Sequence, residues 1–378
     1  MIKLDGLLMI GSAETKSGKT ELACALLRKF NKNNNIIGIK ITTIENIEED
    51  GLCSEEGRDT AFTLKQKYVI TEEKNEASGK DTARLLAAGA SKVFWLRALK
   101  DSLGEGIAAL LDRTRPEAVS ICESNSLRQI VEPGLFLILK RHNSNIWKNS
   151  AMRIKKYADS IVTTKAGSFN LDLNRIKLID NKWILQEKAT AIILAGGTSR
   201  RMGADKSMMT IYGLPMIEII CQQLCNCFEQ IIISAANINK FAFLGFDIVP
   251  DKVPAQGPLM GIYSALEAST NELNFIVACD TPHVELRWIR RMLCEAKKSK
   301  ADIVVPITKD GRRQSLFAIY CKSALTVIKK VLSTGNYKVS NVLNLCKVKY
   351  IELETNFANL NTKIEYEKFK KRDSDYVR

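Results

Sequence analysis

Two segments of the chain follow one pattern, in which an apolar strand leads into a loop of small residues and then into a helix. The first segment runs from the strand at 7–10 through GSAETKSGKT into the helix ELACALLRKF. The second runs from the strand at 191–194 into AGGTSRRMGADK. Such a βα turn points loop amides and helix amides at an anion. The sequence therefore predicts an α/β protein with two phosphate-binding domains.

The length of 378 residues exceeds the usual size of one domain, so two domains are expected. Residues 175–179 and 182–185, separated by Asp180-Asn181, read as a hairpin that closes the first domain. The polar run 186–188 then reads as a linker. We expect a P-loop NTPase-like domain at 1–187 and a Rossmann-like domain at 188–378.

The first loop ends in Ser17, Gly18, Lys19 and Thr20, the tail of a P-loop, in which lysine meets phosphate oxygens and threonine binds Mg²⁺. The standard spacing requires a glycine at position 13, where this chain has alanine. The surrounding strand and helix still favour a nucleotide site. The same domain offers a second magnesium candidate, a carboxylate that follows the strand at 118–122. This residue, Glu123, equally fits a capping or solvated role.

The second loop is the more specific one. Its paired glycines, Gly196 and Gly197, let the backbone approach a triphosphate closely. Arg201 and Lys206 supply positive charge where a transferring phosphorus gains negative charge. Packing does not require this combination at this spacing, so the loop predicts nucleotidyl transfer.

An acidic residue follows a later apolar strand, at 275–278. Asp280 stands where the crevice of an α/β sheet binds ligands, and it is well placed to hold Mg²⁺. An aspartate before Thr281-Pro282 is also ordinary turn chemistry. The glycine-rich loop favours the metal-binding role. With two histidines in the chain, a Ser-His-Asp mechanism is disfavoured.

Together these residues resemble the molybdenum cofactor guanylyltransferase family over residues 189 to 365. The resemblance is carried by motifs in family order: GGTSRRMGADK, Asn237, Pro250-Asp251, GPLMG at 257–261, QSLFA at 314–318 and FANLNT at 357–362. The resemblance implies a Rossmann-like nucleotidyltransferase fold. It also implies that GTP, bound with Mg²⁺, donates GMP and that molybdopterin accepts it. Molybdoenzyme apoproteins or other cofactor-biosynthesis proteins would be further partners.

The resemblance also implies roles for individual residues. Nucleotide contacts fall on Leu194, Ala195, Gly196, Gly197, Lys206, Asn237, Asp251 and Asp280, with Asp280 on the metal. Asn359 and Asn361 lie on the pterin side. The family usually has proline at the positions of Ser315 and Lys363, a departure that concerns the acceptor side.

The first half resembles the adaptor proteins that accompany molybdopterin-guanine dinucleotide synthesis, a small P-loop family. The matching features are the GKT loop, the strand IIGIK at 36–40, and DTAR at 81–84 followed by AGA at 88–90. The loop also resembles that of dethiobiotin synthetases. The likeness covers the first 140 residues and leaves open whether the bound nucleotide is hydrolysed.

Two kinds of alternative function stay open. One keeps the chemistry but uses CTP, or a sugar phosphate as acceptor. Relatives that use CTP have alanine-glycine and asparagine-lysine where this chain has Gly196-Gly197 and Asp205-Lys206, and sugar nucleotidyltransferases lack the FxNxNT stretch. The other makes the chain a GTP-binding module that delivers the cofactor to an apoenzyme.

Composition bears on three further questions: nucleic-acid binding, metal binding by cysteines, and cellular compartment. The net charge of +14 is spread over both halves and suits an enzyme of anionic substrates, so we expect no nucleic-acid partner. Cys221, Cys225 and Cys227 resemble a cluster of metal ligands. However, Cys221, Leu224, Cys225 and Phe228 have the spacing of one apolar helix face, so we expect a buried face and no metal site. Without CxxC pairs, a signal peptide or an 18-residue apolar run, we expect a cytoplasmic protein with no membrane contact.

Overall fold

The computed structural model describes residues 1–44, 66–196, 205–211, 213–353 and 365–367. The chain divides into two compact units, Met1–Leu185 and Gln186–Arg378. We refer to them as unit 1 and unit 2. Among the described residues, no helix has both the length and the apolar character needed to cross a bilayer.

Unit 1 alternates strands and helices along most of its length. Its strands are β1 Ile2–Ser12, β2 Ile37–Ile44, β3 Tyr68–Glu73, β4 Lys92–Leu99, β5 Ser120–Glu123, β6 Val131–Arg141, β7 Ser160–Lys165, β8 Ser168–Phe169, β9 Ile176–Ile179 and β10 Lys182–Leu185. Its helices are α1 Lys19–Phe30, α2 Asp81–Ala87, α3 Leu103–Thr114 and α4 Asn149–Ile154.

The main sheet of unit 1 has the order β3-β4-β2-β5-β1-β6-β7-β8, and its strands from β4 to β7 run parallel. Side chains of β1 alternate between two buried clusters. Leu8 and Ile10 pack with α1 on one face, while Leu7 and Met9 pack with α3 on the other. Helices therefore cover both faces, as parallel sheets require, and the loop after β1 lies at the carboxyl edge of the sheet.

The predicted hairpin at the end of unit 1 is confirmed. Strands β9 and β10 pair antiparallel, with Lys182 opposite Ile179. The two turn residues between them, Asp180 and Asn181, have φ angles of 49° and 59°. Aspartate and asparagine tolerate this left-handed region, which a two-residue hairpin turn requires.

Unit 2 follows with its own sheet. Its strands are β11 Glu187–Leu194, β12 Thr210–Ile211, β13 Leu214–Pro215, β14 Phe228–Ser234, β15 Asp247–Val249, β16 Leu273–Ala278, β17 Ile303–Ile307, β18 Phe317–Cys321 and β19 Val348–Glu352. Its helices are α5 Met216–Leu224, α6 Ile238–Phe241, α7 Gly257–Ala268, α8 Leu286–Ser299, α9 Ala324–Ser333 and α10 Val339–Leu345.

The sheet of unit 2 has the order β15-β14-β11-β16-β18-β17-β19. The four strands from β15 to β16 are parallel, and β18 is antiparallel to both of its neighbours. Buried Ile192 and Leu194 of β11 pack against Leu259 and Ile262 of α7. This mixed α/β sheet confirms the predicted Rossmann-like domain, with β11 between β14 and β16 in the parallel part.

The cysteine-bearing helix is shorter than its apolar spacing predicts. Helix α5 ends at Leu224, and Phe228 begins strand β14. The prediction that Phe228 lies on the helix was therefore wrong. Its ring is buried and stacks on Phe275 at 6.0 Å, so strand packing satisfies the same apolar position. Cys221 is buried as predicted, and no cluster of three or more metal-ligating side chains occurs in the described parts of the chain.

Candidate active site

The first residues of the glycine-rich motif of unit 2 lie at the carboxyl end of β11, where Leu194 and Ala195 are hydrogen-bonded to the two neighbouring segments. The Ala195 amide donates to the Ser234 carbonyl oxygen of β14 at 2.9 Å. The Leu194 carbonyl accepts from the Cys279 amide at 3.1 Å. Gly196 is exposed and has open space where a side chain would stand. The backbone at Gly196 is therefore accessible to a ligand.

A lysine and a carboxylate from distant parts of the sequence meet at this edge. Asp280 lies in the turn directly after β16, and Lys206 lies in a short 3₁₀ turn. Lys206 Nζ is 3.3 Å from Asp280 Oδ2, with side chains only 17% and 23% exposed. This partial burial lowers the local dielectric, so Lys206 attracts an anion, and Asp280 a cation, more strongly than each would in water.

Asp251, after β15, approaches the same end of the sheet. A methyl group added to Gly261 of α7 would lie 3.2 Å from Asp251 Oδ1 and 2.6 Å from Ser234 Oγ. Gly261 therefore permits the helix to pack closely against these two side chains. Burial raises the pKa of Asp251, so its carboxylate is less stable here than in water.

The other predicted residues of unit 2 divide into two groups. Asn237 is exposed, and its side-chain oxygen accepts the Lys240 amide at 3.2 Å, which caps α6. Gly197, Arg201, Asn359 and Asn361 lie outside the described residues. The assigned roles of all these residues stay predictions.

The structure adds a pair that sequence reasoning missed. The Lys240 ammonium contacts Asp205 Oδ2, and Asp205 in turn accepts from the amide and hydroxyl of Ser207. Asp205 belongs to the second loop motif, but nothing in the sequence connects it with a lysine 35 residues later.

Burial raises the pKa of the neighbouring Cys279 thiol to about 12, so this cysteine is protonated and is no nucleophile at neutral pH.

In unit 1 the four predicted P-loop residues line one cavity of about 1120 Å³ at the carboxyl edge of the sheet. The loop between β1 and α1 reaches Gly18 with a φ of 90°, a left-handed conformation that favours glycine. Helix α1 then begins at Lys19. Lys19 and Thr20, the first residues of this helix, both line the cavity, and a helix start with a lysine suits an anion.

Glu123, at the end of β5, also lines this cavity. One of its carboxylate oxygens accepts from the Thr20 hydroxyl at 3.1 Å, while the other is buried without a hydrogen-bond partner. Burial raises the pKa of Glu123 to about 7, opposed by the nearby Lys19 charge. A buried carboxylate oxygen beside a threonine hydroxyl is a suitable donor set for a hard divalent cation.

A further carboxylate of the first loop was not singled out from the sequence. Glu14 is 3% exposed and pairs with the half-exposed guanidinium of Arg141, at the end of β6, at 2.6 Å. Burial alone would raise the pKa of Glu14, but hydrogen bonds from the side chain and backbone of Arg141 outweigh that effect and lower it. The pair fastens the loop to the neighbouring strand.

Unit 2 is a nucleotidyltransferase domain, because residues 191–349 match the family model described as "MobA-like NTP transferase domain". Gly196 and the strand-end carboxylates Asp251 and Asp280 lie at the edge at which open α/β sheets bind nucleotides.

Curated relatives identify the family of nucleotidyltransferases to which this chain is similar. The "Probable molybdenum cofactor guanylyltransferase" of Natranaerobius thermophilus is 35% identical over 201 residues, which cover 50% of this chain and 97% of the relative. The protein of the same name from Carboxydothermus hydrogenoformans is 34% identical over 194 residues, covering 49% of this chain and 96% of that one. The chain belongs to the molybdenum cofactor guanylyltransferase family, which confirms the predicted resemblance of its C-terminal half.

A solved structure is also similar to this chain. It is the crystal structure of molybdopterin-guanine dinucleotide biosynthesis protein A from Archaeoglobus fulgidus, which is 21% identical. The match covers 49% of this chain and 99% of that one, with a TM-score of 0.45.

Proposed function

We propose that unit 2 transfers GMP from GTP to the molybdopterin form of the molybdenum cofactor. In this reaction the terminal phosphate oxygen of molybdopterin attacks the α-phosphorus of GTP. A new phosphorus–oxygen bond forms, the bond between the α-phosphorus and the α,β-bridging oxygen breaks, and pyrophosphate leaves. The observation that carries the proposal is the meeting of Lys206 and Asp280 beside the glycine-rich loop, in a member of this family.

In unit 2 the basic and acidic side chains would have different roles, because the first bind phosphate and the second bind the metal ion. Lys206 would hold phosphate oxygens that gain negative charge as the bond to the leaving group breaks. The Gly196 amide would hold an oxygen of the triphosphate. Asp280, with its hard carboxylate oxygens, would hold Mg²⁺, which when bound neutralises phosphate charge and orients the reacting groups. Positioning by these groups would supply most of the acceleration.

The donor nucleotide is tested by pyrophosphate release with molybdopterin, Mg²⁺ and either GTP or CTP. We expect release with GTP and not with CTP. Release with CTP alone would keep the mechanism and change the base assignment. Release from neither nucleotide would support the cofactor-delivery role in place of transfer.

The metal role of Asp280 has its own test. We expect Asp280→Ala to lower kcat at least about 100-fold, because the cation loses a carboxylate ligand. The thermal midpoint should stay close to that of the wild type, since Asp280 lies at a strand end and is partly exposed. The exposed Asp310→Ala is a matched control in the same unit. Near-normal Mg²⁺-dependent turnover of Asp280→Ala would contradict the assignment.

We infer that unit 1 is a P-loop domain that binds a nucleoside triphosphate with Mg²⁺. The proposal is supported by the cavity that Lys19 and Glu123 both line, and by the hydrogen bond between Glu123 and Thr20. Lys19 and the amides would hold the phosphates. Thr20 and Glu123 would hold the cation, which when bound would neutralise phosphate charge.

The nucleotide site of unit 1 can be separated from that of unit 2 by mutation. Lys19→Ala should abolish one of two binding events for Mg²⁺-GTP in calorimetry and leave pyrophosphate release by unit 2 unchanged. Lys3→Ala, which removes a lysine of the same unit that is 70% exposed and does not line the cavity, is the matched control and should retain both events. An unchanged titration of Lys19→Ala would contradict nucleotide binding by unit 1.

A further inference from the structure

We propose that Lys240 is a positioning residue of the transferase site, which holds Lys206 in place by anchoring Asp205. The inference rests on the function proposed above for unit 2. Three elements are connected in the structure: the end of β14 with α6, the 3₁₀ turn after the glycine-rich loop, and the turn after β16. Lys240, Asp205 and Asp280 are their respective contact points.

Asp205 determines the geometry of the turn that carries Lys206. One of its oxygens, Oδ1, accepts from the Ser207 amide at 3.0 Å and from the Ser207 hydroxyl at 2.5 Å. Asp205 is thereby the cap of the 3₁₀ turn Lys206–Met208. Because Lys206 lies between the capping residue and the residue that it caps, the cap fixes the direction in which the Lys206 side chain leaves the backbone.

Lys240 engages the second oxygen of the same carboxylate. Its ammonium contacts Asp205 Oδ2 and lies 3.5 Å from Ser207 Oγ. Its own backbone is fixed, because its amide donates to the capping oxygen of Asn237. The ammonium also lies 4.9 Å from the centre of the Phe241 ring. A residue held at its backbone and at its ring contact can serve as an anchor for a loop 35 residues away.

The pair is suited to positioning more than to holding the fold. The side chains of Lys240 and Asp205 are 29% and 44% exposed, and ion pairs with such exposure contribute little to stability. The reaction is more sensitive, since a displacement of about 1 Å at a reacting group can cost about 100-fold in rate. Loss of Lys240 should therefore appear in kcat and not in the melting temperature.

The alternative is that Lys240 contacts the substrate phosphates directly. The two roles differ in how they depend on Asp205. A positioning lysine that acts through Asp205 has nothing to act on once that carboxylate is neutral. A lysine that binds phosphate keeps its effect whether or not Asp205 is charged.

The test is a double-mutant cycle in the full chain with Lys240→Met, Asp205→Asn and both together. Asparagine retains an oxygen for the Ser207 amide and removes the charge that meets Lys240. We expect each single variant to lower kcat for GTP-dependent pyrophosphate release about 10-fold to 100-fold with little change in KM. The double variant should be no slower than the slower single variant, and Lys240→Arg should recover most of the rate.

The control is Lys298→Met on α8, which removes a lysine that is 67% exposed and paired with Glu295, and which should keep the wild-type rate. Losses that multiply in the double variant, or a change confined to KM, would overturn the positioning role. So would Lys240→Arg being as slow as Lys240→Met.

A second measurement tests the positioning role of Lys240 without relying on catalytic activity. Hydrogen exchange in the peptide 205–211 should be faster in Lys240→Met than in the wild type, because the Ser207 amide bond to Asp205 is less well held. Unchanged exchange there would overturn the proposal even if kcat falls. Absence of pyrophosphate release by the wild type would instead refute the proposed function of unit 2, and the exchange result would still stand.

Discussion

The buried carboxylate of Glu123 should make unit 1 less stable as the pH rises. In the folded chain its pKa is about 7, compared with an ordinary value of 4.5, because burial disfavours the charged form. The folded state therefore holds this proton more tightly than the unfolded state. Between pH 4.5 and pH 7 the free energy of unfolding falls with rising pH, and above pH 7 the cost is fully present.

Glu123→Gln should remove this cost and keep the acceptor oxygen for Thr20. The difference between 4.5 and about 7, at about 1.36 kcal/mol for each pH unit, corresponds to about 3 kcal/mol of unfolding free energy at pH 8. Near pH 4 the carboxyl is protonated in both the folded and the unfolded state, so its ionisation should then cause almost no difference in unfolding free energy between the variant and the wild type. The gain of the variant should therefore grow with pH.

The measurement is urea unfolding from pH 4.5 to pH 8 in the presence of EDTA and without nucleotide. Tryptophan fluorescence follows mainly unit 1, which contains Trp95, Trp147 and fully buried Trp183, three of the four tryptophans. Glu21→Gln, in which a half-exposed carboxylate is removed, is the matched control and should give no pH-dependent gain. A stability difference between Glu123→Gln and the wild type that is constant over this pH range would refute the reasoning.

Two further substitutions test close contacts in the two units. Gly261→Ala should lower both stability and kcat, since its methyl group would lie 2.6 Å from Ser234 Oγ; we expect about 1–3 kcal/mol in thermal unfolding, with partial recovery in combination with Ser234→Ala. If the double variant were no more stable than Gly261→Ala alone, the Ser234 hydroxyl would not be the group that clashes with the added methyl. Glu14→Gln should weaken Mg²⁺-GTP binding by unit 1 in calorimetry and destabilise unit 1 by about 1–3 kcal/mol, because it breaks the pair with Arg141. Wild-type affinity and stability would show that the pair does not hold the loop.

The sequence by itself determined those features that depend on neighbouring residues. The strand, small-residue loop and helix at the start of unit 1 are a local pattern, and they occur as predicted at β1 and α1. In unit 2 the predicted strand occurs as β11, but the described residues after its loop form a 3₁₀ turn and the β12–β13 hairpin before helix α5 begins at Met216. The hairpin β9–β10 is equally local, because its Asp180-Asn181 turn needs residues that accept positive φ. The family followed from motifs whose order along the chain is itself part of the sequence.

Local apolar spacing was a weaker guide where tertiary pairing competes with it. Phe228 continues the spacing of α5, yet it lies in β14 beside β11. The hydrogen bonds and the aromatic contact available in the sheet outweigh one more turn of helix. Spacing alone cannot distinguish the two outcomes, since a buried side chain satisfies both.

Only the tertiary structure decided which side chains act together. Lys206 meets Asp280 across 74 residues of sequence, Lys240 meets Asp205 across 35, and Glu14 meets Arg141 across 127. Each contact depends on the order of strands in a sheet, which brings carboxyl ends together whatever their distance along the chain. The pKa of Glu123 has the same origin, because burial by the whole of unit 1 sets it. A sequence specifies the residues of a site locally, while their mutual distances arise from the packing of elements that are remote in sequence.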